Sequence, residues 1–328
     1  MEALNILALA DKLRTEADAY EFLEDLRWNG QPVCPHCGSV RKPYFLTPAN
    51  GASRKTRTGT ASQRRVWKCA DCRKQFSVLT GTIFHGSKVP VRTWIFVVFE
   101  MCSSKNGVSA REIERKYKLT AKTAWFVTHR IREAMKREPL AGLLSGRVVA
   151  DETWIGGKLR NRHGGADPSR RSVHPTRRFE DKTAVVSLVS RETGEVRSRV
   201  VPEVSGDNLR AVLDEHIDQP ATHLHTDAGT HYRRIVGEFA EHSIVSHAQG
   251  EYVRGDVSTN QAENYFSQLK RSIDGTHHHV SREHLDRYLA EFDFRHTTRK
   301  ISDTERVSLL GQQVGGKRLT YRKPACGD

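Results

Sequence analysis

Apolar residues recur along this chain with two periods, and the change falls near Pro139. Before it the spacing is helical. Residues 90–101 read as a buried helix entered by Pro90, with Trp94, Ile95, Val98 and Phe99 turned inward. Ser109, with Glu112 three positions later, makes a capping box for a short helix reaching Tyr117. A tight turn at Lys118 and Leu119 follows, and Thr120 caps a second helix running to about Lys136. Ala110, Ile113, Leu119, Trp125 and Ile131 supply a shared core, which leaves Lys122, Thr123, Phe126, His129 and Arg130 toward the exposed face. Two helices joined so tightly have the form of a helix-turn-helix, whose second helix enters a major groove.

After Pro139 the pattern is that of strands and helices in alternation. Arg147 to Ala150 is a buried-strand run that ends in Asp151-Glu152-Thr153-Trp154-Ile155-Gly156-Gly157. Ala184–Ser190 and Val196–Val201 are two further strands, with Glu192-Thr193-Gly194-Glu195 as their hairpin turn. A helix over Asp207–Ile217 carries Leu209, Val212, Leu213 and Ile217 on one stripe. Thr222–Thr226 is a short strand ending at Asp227, and Ser243–His247 is another. The helix from about Asn260 to Ile273 turns Ala262, Phe266, Leu269 and Ile273 toward a sheet, with Glu263, Ser267 and Lys270 on a neighbouring face. This order predicts a multidomain α/β protein whose later part is a ribonuclease-H-like (retroviral-integrase-like) domain.

Composition sharpens the picture. The 328 residues hold 53 Lys+Arg against 39 Asp+Glu, a net charge of +14, with a pI near 9.7. The length predicts two or three domains, and 37% hydrophobic residues suffice for packed cores. So strong a basic excess points to a polyanion, nucleic acid before a membrane surface. The longest apolar stretch, Trp94 to Phe99, is far too short to span a bilayer. Asn5–Ala10 is a short apolar run without a basic lead, so no secretory leader is expected and a cytoplasmic location, at the nucleoid through DNA, is.

Four of the six cysteines form two Cys-x-x-Cys pairs, Cys34/Cys37 and Cys69/Cys72. In a reducing compartment four such thiolates suit one structural, tetrahedral Zn²⁺ rather than disulfides. His36 is a possible substitute ligand, and Cys102 and Cys326 read as plain residues. The 31 residues between the pairs fit a ribbon with a long excursion, and residues 41–68 carry eight Lys/Arg and no acid. Arg64 and Arg65 lie in that stretch and are candidate DNA contacts.

Asp151, Asp227 and Glu263 form the second constellation, two acids at strand ends and the third on the late helix. Phosphodiester cleavage with two Mg²⁺ (or Mn²⁺) ions about 4 Å apart needs such hard oxygen ligands. Lys270, near Glu263 after two helical turns, is placed to hold a phosphate of the scissile strand. His277, His278 and His279 cannot all converge on one ion, being adjacent; positioning phosphate or capping a helix from Ser281 suits them better. His223, His225 and His231 read as local packing and hydrogen bonding around Asp227.

Several strings are more specific than any of these spacings. Asp151-Glu-Thr-Trp-Ile-Gly-Gly-Lys158, Thr259-Asn-Gln-Ala-Glu263-Asn-Tyr-Phe-Ser-Gln-Leu-Lys270-Arg271, Gly275-Thr-His-His-His-Val-Ser281 and Arg287-Tyr-Leu-Ala-Glu-Phe292 resemble the DDE transposases of bacterial insertion sequences. Within these they are similar to the ISXO-type group with an N-terminal zinc ribbon, as is Phe22-Leu-Glu-Asp-Leu-Arg-Trp28 before the first Cys pair. The resemblance implies that Asp151, Asp227 and Glu263 are the catalytic Mg²⁺ ligands and Lys270 the basic residue that some members carry. It implies cleavage at the element's ends and attack of the freed 3′-hydroxyl on target DNA, without a covalent protein–DNA intermediate. It also implies a homo-oligomer on paired terminal inverted repeats. Lys158 and Arg271, with Lys122, Thr123, His129 and Arg130, complete the expected DNA contacts.

The expected domains are a helical lead-in (1–30), the zinc ribbon with its basic insertion (31–80), the helix-turn-helix region (85–138), the catalytic domain (145–300) and a basic tail (301–328). A second basic stretch, residues 158–182, holds eight Lys/Arg against three acids. Two other classes compete: a DNA-binding regulator derived from a transposase, and a ribonuclease-H-like nuclease without strand transfer. The intact acid set speaks against the first; the second shares the cleavage chemistry.

Overall fold

The computed structural model describes residues 4–41, 43–46, 64–136, 142–156, 182–229, 231–232, 236–246, 253–317 and 319. The chain forms two compact units, Met1–Met135 with Ile301–Asp328, and Lys136–Lys300. The first unit is therefore built from both ends of the sequence.

In that unit α1 (Ile6–Lys12) starts at Asn5, whose side chain accepts from the Ala8 amide. A reciprocal capping box between Thr15 and Asp18 starts α2 (Glu16–Trp28), which ends on Asn29 in the left-handed region. The ribbon is a small antiparallel sheet of β1 (Tyr44–Phe45), β2 (Trp67–Lys68) and β3 (Gln75–Phe76). α3 (Val91–Ser103) buries Trp94, Ile95, Val98 and Phe99, the inward face expected from their spacing. α4 (Ala110–Tyr117) begins where the Ser109 side chain accepts from the Glu112 amide, and Lys118 turns the chain at φ 51°. α5 (Ala121–Met135) follows at once. The helix pair thus matches its predicted bounds. Its core is narrower than predicted: Ile113 and Ile131 are fully buried, but Ala110, Leu119 and Trp125 only partly so.

The second unit is a mixed five-stranded sheet. β4 (Leu144–Ile155), β5 (Thr183–Ser190) and β6 (Val196–Val201) form an antiparallel meander. α6 (Gly206–His216) leads into β7 (Ile217–Asp227), which runs parallel to β4; β8 (Glu241–Val245) runs parallel to β7. The strand order is β6-β5-β4-β7-β8, a mixed arrangement consistent with the ribonuclease-H-like expectation. A short hairpin of β9 (Val253–Arg254) and β10 (Val257–Ser258) precedes α7 (Asn260–Ser272), and α8 (Arg282–Thr297) closes the unit. One sheet face packs Val148, Ala150, Val186, Leu188 and Leu224 with α6; the other packs Val149, Val185, Val189 and Val196 with α7 and α8. Strand alternation accounts for both lists.

Two expectations need correction. β4 does not stop before Asp151, because β5 pairs with it as far as Ile155 opposite Thr183, so Asp151 lies inside a strand. And the segment after Lys300 is not simply a tail. It forms α9 (Asp303–Gln313), capped reciprocally by Ser302 and Glu305, which packs on α2, α3 and α5. The Leu4 amide donates to Thr304 Oγ1 at 2.7 Å, and a bridge joins Thr82 with Gly315. Among the described residues no helix is long and apolar enough to cross a membrane.

Gly311 fixes the closeness of α9 to α2. A Cβ there would lie 2.2 Å from Leu26 Cδ2 and 2.5 Å from its Cγ. Gly311→Val is expected to destabilise the first unit by about 1–3 kcal/mol through overpacking, measured as the denaturant midpoint of the intact protein. An unchanged midpoint would show that α9 is not packed this tightly.

Candidate functional site

The two Cys-x-x-Cys turns are built alike. In the first, Cys34 N–H donates to Ser39 O (3.0 Å) and Gly38 N–H to Cys34 O (2.9 Å), with Gly38 at φ 73°. In the second, Cys69 N–H donates to Lys74 O (3.1 Å), with Arg73 at φ 58°. The four Sγ atoms all lie within 4.8 Å of one another, with Cys34–Cys72 and Cys37–Cys69 each at 3.7 Å. That is far beyond a disulfide bond of about 2.05 Å and matches the edge of a thiolate tetrahedron, about 3.8 Å for Zn–S near 2.3 Å. The Cys69 thiol is lowered to about 7, chiefly by the backbone N–H of Cys72, which favours the thiolate that a metal requires. His36 is not a ligand here; its Nε2 meets Gln75 O at 3.3 Å. Cys102 is buried in α3, and Cys326 lies outside the described residues.

Aromatic packing seats the ribbon on α2. Trp28 meets Trp67 and Phe76 edge-on, with centroids at 6.1 and 5.9 Å. Trp67 Nε1–H donates to Glu24 Oε1 (2.9 Å), and Arg65 pairs with Glu24 (2.9 Å) and Glu21 (2.6 Å) while lying over the Phe45 ring. Arg65, expected as a DNA contact, is thus engaged with two carboxylates of α2. Arg64 beside it is exposed. Residues 47–63, most of the basic excursion, lie outside the described residues.

On α5 the expected DNA face divides. Lys122 is exposed at the helix start, and Thr123 is partly buried with its hydroxyl 2.9 Å from that of Thr120. His129 and Arg130, expected to be exposed, are buried. His129 stacks on Trp125 at 4.0 Å, while Arg130 donates to His85 O (3.1 Å) and Leu319 O (3.3 Å) and covers Phe126. The covering segments come from elsewhere in the sequence, so the face count along α5 alone could not reveal them.

The three acids converge in the second unit. β4 and β7 are in parallel register at Val149 opposite His225; two residues further on, the same register brings Asp151 abreast of Asp227. Both lie on the face covered by α7, whose first turn carries the exposed Glu263. Burial, reinforced by the fields of Glu152, Asp227 and Glu263, pushes the Asp151 carboxyl up to about 7. The Glu152 amide donates to Asp151 Oδ1 (2.8 Å), and the Gly229 amide to Asp227 Oδ1 (2.9 Å). Lys270 is held below the usual lysine range by burial and by Lys182, while Asp151 acts in the opposite sense. So Lys270 and the acids share one site, and Lys182, which spacing did not single out, stands beside them. Arg271 is exposed and donates to Ser267 O at 3.2 Å. Lys158 lies outside the described residues.

Sequence reasoning passed over Glu152. It points to the α6 face, where the buried Tyr232 hydroxyl donates to it, and burial raises its carboxyl to about 7. Alternation beside Asp151 was the available signal. Of the histidines near Asp227, His223 and His225 are packed as expected, His223 meeting Ser243 Oγ at 2.9 Å and the His225 ring edge-on at 4.4 Å, whereas His231 is exposed. His277 packs against Tyr288 and Phe292, and Ser281 is the N-cap of α8 without a side-chain cap bond.

A paired-turn thiolate cluster followed by a mixed sheet with three clustered acids is the layout of a zinc-ribbon DDE recombinase. The comparisons agree. Residues 143–297 match the ISXO2-like transposase domain and residues 14–75 the transposase zinc-ribbon domain. The chain is 28% identical over 286 residues to an uncharacterized protein in transposable element ISH50 of Halobacterium salinarum, covering 86% of this chain and 90% of that one. Both parts of the chain thus match domains of ISXO2-like transposases that carry an N-terminal zinc ribbon.

Two outcomes are expected. A strong chelator, or Cys69→Ser, should release one equivalent of zinc and unfold the ribbon, seen as increased proteolysis within residues 14–75. A zinc-free protein with unchanged proteolysis would refute the metal cluster. His225 is fully buried, and neither ring nitrogen has a hydrogen-bond partner among the described residues; burial lowers it to about 4. Its folded pKa lies below the unfolded value, so its contribution is present above about 6.5 and is lost as pH falls toward 4. His225→Leu should therefore lose about 2 kcal/mol less stability than the native chain between pH 7 and pH 5, measured by denaturant unfolding at both pH values.

Proposed function

We propose that this protein is the transposase of an insertion sequence, binding the element's terminal inverted repeats and cutting and joining DNA at a site formed by Asp151, Asp227 and Glu263. The parallel register that aligns Asp151 with Asp227 beneath α7 carries this reading. These carboxylates are the hard oxygen donors that would hold two Mg²⁺ or Mn²⁺ ions. Bound there, such ions supply Lewis-acid charge to the attacking and leaving oxygens of a phosphodiester exchange. Among the described residues the cysteines are the one group of three or more metal-binding side chains with all ligand atoms within 4.8 Å; acids shared between two ions do not need to meet so closely.

The reaction has two displacements. Water attacks a phosphorus at the element's end, the 3′-oxygen leaves as a hydroxyl, and the phosphate stays on the 5′ side. That hydroxyl then attacks a target phosphodiester, making a new bond as the target's 3′-oxygen leaves. Lys270 and Lys182 are placed to hold phosphate oxygens against the acids.

The helix pair α4–α5 serves as a helix-turn-helix. Lys122 and Thr123 at the start of α5 meet base edges, while Arg64 and Arg271, both exposed, meet phosphates. Two or more copies act together on paired ends.

The test is cleavage and joining of labelled DNA from the flanks of the gene, with Mg²⁺. Nicks at an inverted-repeat boundary and joined products are expected, and Asp227→Asn should abolish both while DNA affinity changes less than about threefold. An active Asp227→Asn protein would refute the site. Tight binding with no cleavage by the native chain would indicate a regulator, and cleavage without joining a nuclease.

A further inference from the structure

A row of polar side chains crosses a largely apolar sheet face. Asp151 pairs with Ser187 across β4 and β5, and Ser187 with Ser198 across β5 and β6. Alternation places all three on the face that Val149, Val185, Val189 and Val196 present to α7 and α8. Ser187, Ser198 and Tyr265 are 0%, 3% and 1% exposed. Buried hydroxyls there must find partners, and these find one another. Ser187 Oγ lies 2.8 Å from Ser198 Oγ. Ser198 donates to Asp293 twice, from Oγ to Oδ1 (2.7 Å) and from its amide to Oδ2 (2.8 Å). Tyr265 OH donates to Asp293 Oδ1 at 2.6 Å. The chain of contacts thus runs from the strand neighbour of Asp151, through β6 and α8, to α7 two residues beyond Glu263.

Apolar packing alone does not define that helix's position finely. Ala262, Phe266, Leu269 and Ile273 hold α7 against the sheet, but their attraction is non-directional and tolerates sliding and rotation. Hydrogen bonds to a carboxylate are directional and strong. Burial is also the main reason the Asp293 carboxyl is raised to about 6, so above that pH the network contains a carboxylate that needs every one of its donors.

We infer that Tyr265, Asp293 and Ser198 are positioning residues for the third carboxylate: the network sets the rotation and height of α7 over β4 and β5, and so places Glu263 against Asp151 and Asp227. This rests on reading those three acids as metal ligands. Groups that orient ligands from behind typically cost about 10- to 100-fold in metal affinity when removed.

The experiment is Mn²⁺ binding to the full-length protein without DNA, followed by the paramagnetic resonance of free Mn²⁺, alongside melting temperatures. Tyr265→Phe keeps the ring and removes only the hydroxyl; Asp293→Asn keeps the shape. Both are expected to weaken Mn²⁺ binding about tenfold. Val212→Ala, on the α6 side of the sheet, is expected to lower the melting temperature with Mn²⁺ affinity unchanged. The inference is overturned if Tyr265→Phe binds Mn²⁺ like the native chain, or if Val212→Ala weakens binding as much. Asp227→Asn separates this from failure of the underlying reading: it must lose Mn²⁺ binding, and if it does not, the ligand assignment fails and the positioning role with it.

Discussion

Like charges held close in a partly buried place repel one another, and the second unit is organised around tolerating that repulsion. Asp151 lies inside a strand, paired with Ser187 of β5 two residues past the last β4–β7 pair, Val149 with His225. Burial first, and the neighbouring carboxylates after it, push the Asp151 carboxyl up to about 7. Everything that brings Asp227 and Glu263 toward it must be supported elsewhere: parallel pairing for the first, an apolar helix face and a buried hydrogen-bond network for the second. Lys270 and Lys182 provide the compensating charge. A basic protein with an acidic centre is then a single electrostatic arrangement, since the excess cations offset a site that would otherwise repel phosphate.

The first unit solves a different problem. Its strands are two residues long, too short to stand alone. Four cysteine sulfurs gathered at one point, and two aromatic rings seated on Trp28, supply the missing cohesion. Arg65 beside this seat is drawn into it by Glu21 and Glu24, while Arg130 on α5 donates to the carbonyls of His85 and Leu319. Lys122 at the start of α5 and Arg64 are exposed.

Much of this could be read from residue order, and the divisions have physical reasons. Local rules sufficed where the cause was local. The Cys spacing, the Ser109 cap and the stripe of Ala262, Phe266, Leu269 and Ile273 all depend on neighbours a few positions away, and all appear as read. Strand ends were less legible, because the pairing of Ile155 with Thr183 extends β4 past the point where its apolar run stops. Polar residues that turn inward were not legible at all. Arg130 and Glu152 look like surface residues to a periodicity count, and partners distant in sequence, His85 and Tyr232, draw them inward. The same holds for Tyr265 and Asp293, whose meeting joins positions 28 apart.

The return of α9 to the first unit also sets an order of events in the life of the chain. Leu4 and Thr304 are 300 positions apart, yet the Leu4 amide donates to the Thr304 hydroxyl. On a ribosome the N-terminal segments emerge early but lack one wall of their core until the last helix is released. The intervening catalytic unit, whose contacts are closed within Lys136–Lys300, is complete before then. Closing so long a loop is slow compared with local contacts, although its extra entropic cost grows only logarithmically. The segments first to be synthesised are therefore the last to be finished, and a chain without α9 carries an open helical core.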